Sequence, residues 1–196
     1  AERLPEFSRR WAGRQFGEER GAEVANLMTS YLKLAGRRKP ELLDTVTYSL
    51  TNHREFERVV ASWDSLRTRA ELYSRSLPRE FADAYYQLVL HPIQAVANLH
   101  ELYFAVARNR AWAAQGRAAA NRLADSARIL FERDAEISRT YHSIGGGKWN
   151  HMMDQTHIGY TYWQEPPRNV MPRVDVIQVP PAGELGVAWE GQQPFD

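Results

Sequence analysis

Apolar residues recur at three- and four-residue spacing through the first 144 positions and lose that spacing afterwards, and no other feature limits the fold as strongly. Phe56, Val59, Val60, Trp63, Leu66, Ala70, Tyr73 and Leu77 mark one face of a helix predicted over about 52–77, with Asn52 as its cap. Pro78 suits the first turn of a second helix, whose stripe of Phe81, Tyr85, Leu88, Ala95, Leu99, Tyr103 and Val106 reaches about Gln115. Pro92 lies inside that run and removes a backbone donor, so a kink is expected near Leu88 to His91. Gly116 breaks the pattern. A third stripe, Ala118, Ala119, Leu123, Ala127, Leu130, Ile137 and Tyr141, stops before Gly145, Gly146 and Gly147. One or two shorter helices precede these, over Pro5 to about Glu18 and Ala22 to Ala35. Helices joined by short connections pack as antiparallel neighbours, so residues 1–144 are predicted to form a mainly α domain, a four- or five-helix up-and-down bundle.

From Gly145 onward the helical period is gone, and six of the ten prolines lie at or after Pro166. Residues 145–172 are predicted to be an extended, aromatic-rich loop. Val174 to Val179 alternates enough for a short β-strand, and Leu185 to Trp189 is a second candidate. Two strands do not make a stable sheet alone. Residues 173–196 are therefore read as a linker and the first strands of a following β domain, and the chain as a piece of a larger protein.

The charge balance narrows the function classes. With 25 Lys+Arg against 24 Asp+Glu, the net charge of the 196-residue chain is +1, which gives no field to steer a polyanion. Arg37, Arg38 and Lys39 are too few to bind nucleic acid and fit a solvated helix end. No apolar run approaches the ~20 residues of a membrane span. The absence of cysteine removes thiolate nucleophiles, disulfides and Cys-based metal sites. Di-iron bundles use Glu-x-x-His pairs on facing helices, and no Glu stands three positions before any of the six histidines. Neither a metal nor a cofactor is expected.

The remaining chemistry is concentrated in the loop. Trp149, Tyr160, Tyr162 and Trp163 share a short span with Lys148, Asn150, His151, Asp154, Gln155 and His157. Indole and phenol faces stack on sugar rings or on another protein domain, while amides, His and Lys donate to hydroxyls and carboxylates. The same aromatics could instead pin the loop to the helices, with the polar groups satisfying its backbone. Met152, Met153 and Ile158 have the character of packing residues.

The string Gly146-Gly147-Lys148-Trp149-Asn150-His151-Met152-Met153, followed by Gln155, His157-Ile158-Gly159-Tyr160-Thr161, Trp163, Pro166, Asn169 and Met171-Pro172, resembles the region after the helical domain of glycoside hydrolase family 115, the xylan α-1,2-glucuronidases. Arg38 to Leu42, Gln87 to Val89 with Pro92, Gly116-Arg117 with Ala120-Asn121, Gly186 to Ala188 and Glu190-Gly191 extend the similarity along the chain. The resemblance implies an α/β domain and a (β/α)8 barrel before the helices and a β-sandwich after them. It also implies release of 4-O-methylglucuronic acid from glucuronoxylan by an inverting route, with two carboxyl groups about 6.5–9.5 Å apart on the barrel. No catalytic residue carries over, because Asp154 and Glu165 are the only loop carboxylates and nothing positions either beside a partner. Lys148, Trp149, Asn150, His151 and His157 are the candidates for lining a substrate cleft or an interface, with Tyr160 and Trp163 beside them. The barrel and sandwich domains of the same enzyme are the implied partners, with a homodimer and a secreted or periplasmic location as further expectations. A stand-alone helical interaction or carbohydrate-binding module is the alternative.

Overall fold

A computed structural model describes residues 3–160, 166–179 and 181–183. The chain is mainly helical. Among the described residues five helices exceed two turns: α1 (Leu4–Phe16), α2 (Gly21–Ala35), α3 (Glu55–Ser74), α4 (His91–Ala114) and α5 (Ala119–Gly147). Charge placement favours the first two, which carry Glu6 and Glu23 in their opening turns and Arg14 and Lys33 in their closing turns.

Helix α3 begins later than its apolar stripe suggested, at Glu55, because His53 and Arg54 adopt φ of +55° and +52°. Ser49 closes this turn in the position expected of Asn52. Its Oγ accepts from the backbone N–H of Thr51 (3.2 Å) and Asn52 (2.9 Å), while its own N–H donates to Glu55 Oε2 at 2.9 Å.

The kink expected at Pro92 takes a specific form. After a 3-10 turn at Arg79–Phe81 and one α turn at Ala82–Tyr85, residues Tyr86–Leu90 form a π-helical turn, closed by His91 N–H on Tyr86 C=O. A proline lacks the donor for the carbonyl four residues back and crowds it, and widening the turn by one residue relieves both problems. The extra residue also rotates the stripe. Leu88, expected inside, is exposed, whereas Val89, Leu90 and Ile93 are buried.

The chain divides into two compact units, and α3, α4 and α5 each contribute residues to both. The first comprises residues 1–39, 62–97 and 137–154. Its core holds Phe16, Val24, Leu27, Trp63, Ala70, Tyr85 and Ile93, and burying each large side chain of this kind contributes about 1.5–3 kcal/mol. Phe16 meets Tyr85 edge-on (centroids 6.1 Å apart, 81° between planes), and the Tyr85 hydroxyl donates to Ala70 C=O at 3.0 Å. His91 packs on Tyr141 with centroids 4.6 Å apart.

The second unit comprises residues 40–61, 98–136 and 155–196. Phe56, Leu102, Val106, Ala120, Ala124, Ala127 and Ile158 form its apolar core. Helix α4 ends in a Schellman turn, in which Gly116 at φ +66° donates to Ala113 C=O and Arg117 N–H reaches Trp112 C=O at 2.9 Å.

No strand is found over Val174–Val179 among the described residues. Residues 171–179 carry no regular secondary structure among the described residues. Two asparagines take the place of a neighbouring strand. Asn109 Nδ2 donates to Asp175 C=O and its Oδ1 accepts from Asp175 N–H, both at 2.8 Å. Asn121 repeats this on Ile177, with both contacts at 3.0 Å. A primary amide offers a donor and an acceptor side by side, as a peptide does, so each satisfies one residue at two points. The second candidate strand, Leu185 to Trp189, lies outside the described residues.

Candidate functional site

The sequence-predicted loop residues fall into two groups, one in each unit. In the first unit, regular helical geometry ends at Ile144 (ψ 153°), and Gly145 N–H donates to Asp83 Oδ2 at 3.0 Å. The chain then turns tightly. Asn150 N–H bonds Gly147 C=O, Met152 N–H bonds Trp149 C=O, and His151 adopts φ +66° with its N–H on Asn150 Oδ1.

This turn presents Lys148, Asn150 and His151 to solvent and leaves Trp149 half-buried. The Lys148 ammonium lies 4.9 Å from the Trp149 ring centre, within cation–π range. The His151 side chain is 77% exposed, and its Nδ1 is 2.7 Å from Asp154 Oδ2. On the inner side, Met153 N–H donates to His142 Nε2 at 3.1 Å. A backbone N–H can only donate, so that nitrogen is a lone-pair acceptor, and its 3.5 Å approach to Asp154 Oδ1 is proximity without an ion pair. Met153 is half-buried, but Met152, expected to pack, is 59% exposed.

In the second unit, His157, Ile158 and Tyr160 lie on an irregular segment tied to residues 166–170. Asn169 Oδ1 accepts from the N–H of His157 (2.8 Å) and Ile158 (3.1 Å), Val170 N–H donates to Ile158 C=O, and Thr156 Oγ1 donates to Pro166 C=O. Ile158 is fully buried, as expected, and Tyr160 is half-buried. Trp163 lies outside the described residues.

His157 reaches Asp134, a carboxylate only 3% exposed on α5. Nothing in the sequence reading singled Asp134 out. The signal was present: it shares the buried stripe of Ala120, Ala124, Ala127, Ile137 and Tyr141, where an acid needs a partner. Asn109 and Asn121 had no such signal, since an asparagine that pairs with a distant backbone has no local spacing to announce it.

Chemically, the first group offers an indole face and exposed cationic and amide donors, a set suited to a polyhydroxylated or carboxylate-bearing ligand. In the second group both His157 nitrogens are occupied by protein, so this ring braces the fold. Neither group brings two carboxylates together. Among the described residues no cluster of three or more His, Asp or Glu is arranged to hold a metal ion.

In fold, the chain is similar to a family GH115 4-O-methyl-alpha-glucuronidase with specificity for decorated arabinogalactans. The likeness has a TM-score of 0.65, covers 94% of this chain and runs at 20% identity. The chain spans about a quarter of that protein, 24% of its length. No protein-family model matches the chain, and no curated protein matches it in sequence.

Proposed function

We propose that this chain is the helical domain of a glycoside hydrolase that removes 4-O-methylglucuronic acid from a decorated plant polysaccharide, with its catalytic carboxylates on a barrel domain outside these 196 residues. The carrying observation is the fold likeness over 94% of this chain to one quarter of a much longer 4-O-methyl-alpha-glucuronidase. The string from Gly146 to Met153 supports it independently, because those residues build an exposed cation–indole turn.

In this reading the helices form an up-and-down bundle that holds the barrel and a following sandwich in register. Glucuronoxylan is the polymer that the sequence resemblance favours, and arabinogalactan is the polymer of the fold relative. Lys148, Trp149, Asn150 and His151 line the cleft from the helical side, where the ammonium meets the uronate carboxylate and the indole face meets a sugar ring. Pairing of two enzyme copies through this domain and export from the cytoplasm belong to the same reading.

Trp149→Ala in the whole enzyme is the test. A raised KM on the decorated polymer at unchanged melting temperature supports a substrate-facing turn, whereas a lowered melting temperature with KM unchanged assigns Trp149 to packing.

A further inference from the structure

The second unit contains a cavity of about 360 Å³ that the loop chemistry does not use. Phe104, Arg108 and Trp112 lie one turn apart on α4 and form one wall, and Arg117 closes it from the Schellman turn. Across it stand Arg54 and Glu57 at the start of α3. The Arg108 guanidinium sits 4.3 Å from the Trp112 ring centre and 5.3 Å from that of Phe104, and Arg117 sits 5.2 Å from Trp112. Stacking fixes both guanidinium planes while leaving their N–H edges unused.

Charge is unbalanced here. Glu57 is taken up by Arg54, which reaches it with Nε at 2.6 Å and with a terminal nitrogen. That hydrogen bond, followed by the charges of Arg54 and Arg108, holds the Glu57 carboxyl below its ordinary range. Arg108 and Arg117 have no carboxylate partner among the described residues. The Trp112 Nε1–H is likewise buried without an acceptor. Two ring-stacked guanidiniums at a cavity of monosaccharide size are an unfilled set of donors. Because the indole is already covered by cations, charge and hydrogen bonding would recognise the ligand, without ring stacking.

We propose that this cavity binds a small oxyanion, the carboxylate or phosphate of a monosaccharide-sized molecule, between Arg108 and Arg117, with the Trp112 ring beneath them as the reporter of binding. The inference does not depend on the proposed hydrolase activity. It is tested on the full chain by titrating sodium D-glucuronate, inorganic phosphate and neutral D-glucose while following the indole N–H resonance of Trp112, assigned through Trp112→Phe.

The expected result is a saturable shift with one or both anions and none with glucose, the responding anion identifying the source of the oxyanion. Arg108→Gln and Arg117→Gln should each weaken binding about tenfold or more, with unchanged far-ultraviolet circular dichroism. Arg108→Lys, which keeps charge but loses the planar fork, should fall between. A shift with glucose equal to that with the anions, no shift with either anion at millimolar concentration, or undiminished binding in both folded Gln variants would overturn the proposal.

Discussion

His157 Nε2 lies 2.9 and 2.8 Å from the two carboxylate oxygens of Asp134, and its Nδ1 lies 3.0 Å from the Gln155 carbonyl oxygen. A carbonyl only accepts, so Nδ1 carries a proton, and a carboxylate facing Nε2 favours a proton there as well. The ring is therefore held as imidazolium. Burial by itself disfavours that charge, but the Asp134 hydrogen bond and charge, with the Gln155 carbonyl, outweigh it and raise the His157 pKa above its ordinary value.

A histidine whose folded pKa exceeds its unfolded value near 6.5 contributes its full stabilisation below that pH and loses it as pH rises through the folded pKa. Melting temperature should thus decline from about pH 6.5 upward, and His157→Gln should flatten that decline. His157→Ala leaves Asp134 buried and unpaired and should cost about 3–5 kcal/mol. Chemical denaturation at several pH values measures both effects, and an unchanged pH slope in His157→Gln would refute this assignment.

Asn109 and Asn121 should protect specific amides. The N–H groups of Asp175 and Ile177 face carboxamide oxygens, so their hydrogen exchange should be slow beside that of Val176, which lies exposed between them. Asn109→Asp keeps the shape but cannot donate to Ala120 or Asp175. It should cost about 2–3 kcal/mol, and should open residues 171–179 to proteolysis before the helices.

Gly159 has φ +97°, and a Cβ there would fall 2.8 Å from Val170 Cβ. Gly159→Ala should destabilise by about 2–4 kcal/mol through backbone strain and overlap together. Adding Val170→Ala removes only the overlap. The double variant should recover part of the loss and stay below Val170→Ala alone in urea denaturation; full recovery would show that the backbone carries no strain.

The Tyr85 hydroxyl is buried and donates to Ala70 C=O, and burial raises its pKa, so it stays protonated through the usual pH range. Tyr85→Phe should cost about 1 kcal/mol, the net worth of one neutral hydrogen bond, without altering the pH dependence ascribed to His157. Thermal melts of the two single variants and the pair should give additive losses, since the residues share no partner.

Helices were legible from sequence because each repeats one packing requirement every three or four residues. Phe56, Val59, Trp63, Leu66 and Ala70 are all buried as their spacing demanded. What spacing could not supply was the consequence of a single local event. The π turn at Tyr86–Leu90 moves the buried face from Leu88 to Val89, and only the proline four residues after Leu88 hints at it. Over Val174–Val179 alternation says nothing of what pairs with the backbone; among the described residues its partners at Asp175 and Ile177 are side chains more than fifty residues away. Around the loop, the Lys148–Trp149 pair is a sequence-adjacent feature, whereas Asp134 meets His157 only through the fold.

The most direct measurement is uronic acid release from glucuronoxylan and from arabinogalactan by the whole gene product that contains this chain, run beside the 196-residue chain alone. The expected result is release of 4-O-methylglucuronic acid from at least one polymer by the whole protein and none by the isolated chain. Release by the isolated chain, or none from either polymer by a folded whole protein, would contradict the assignment.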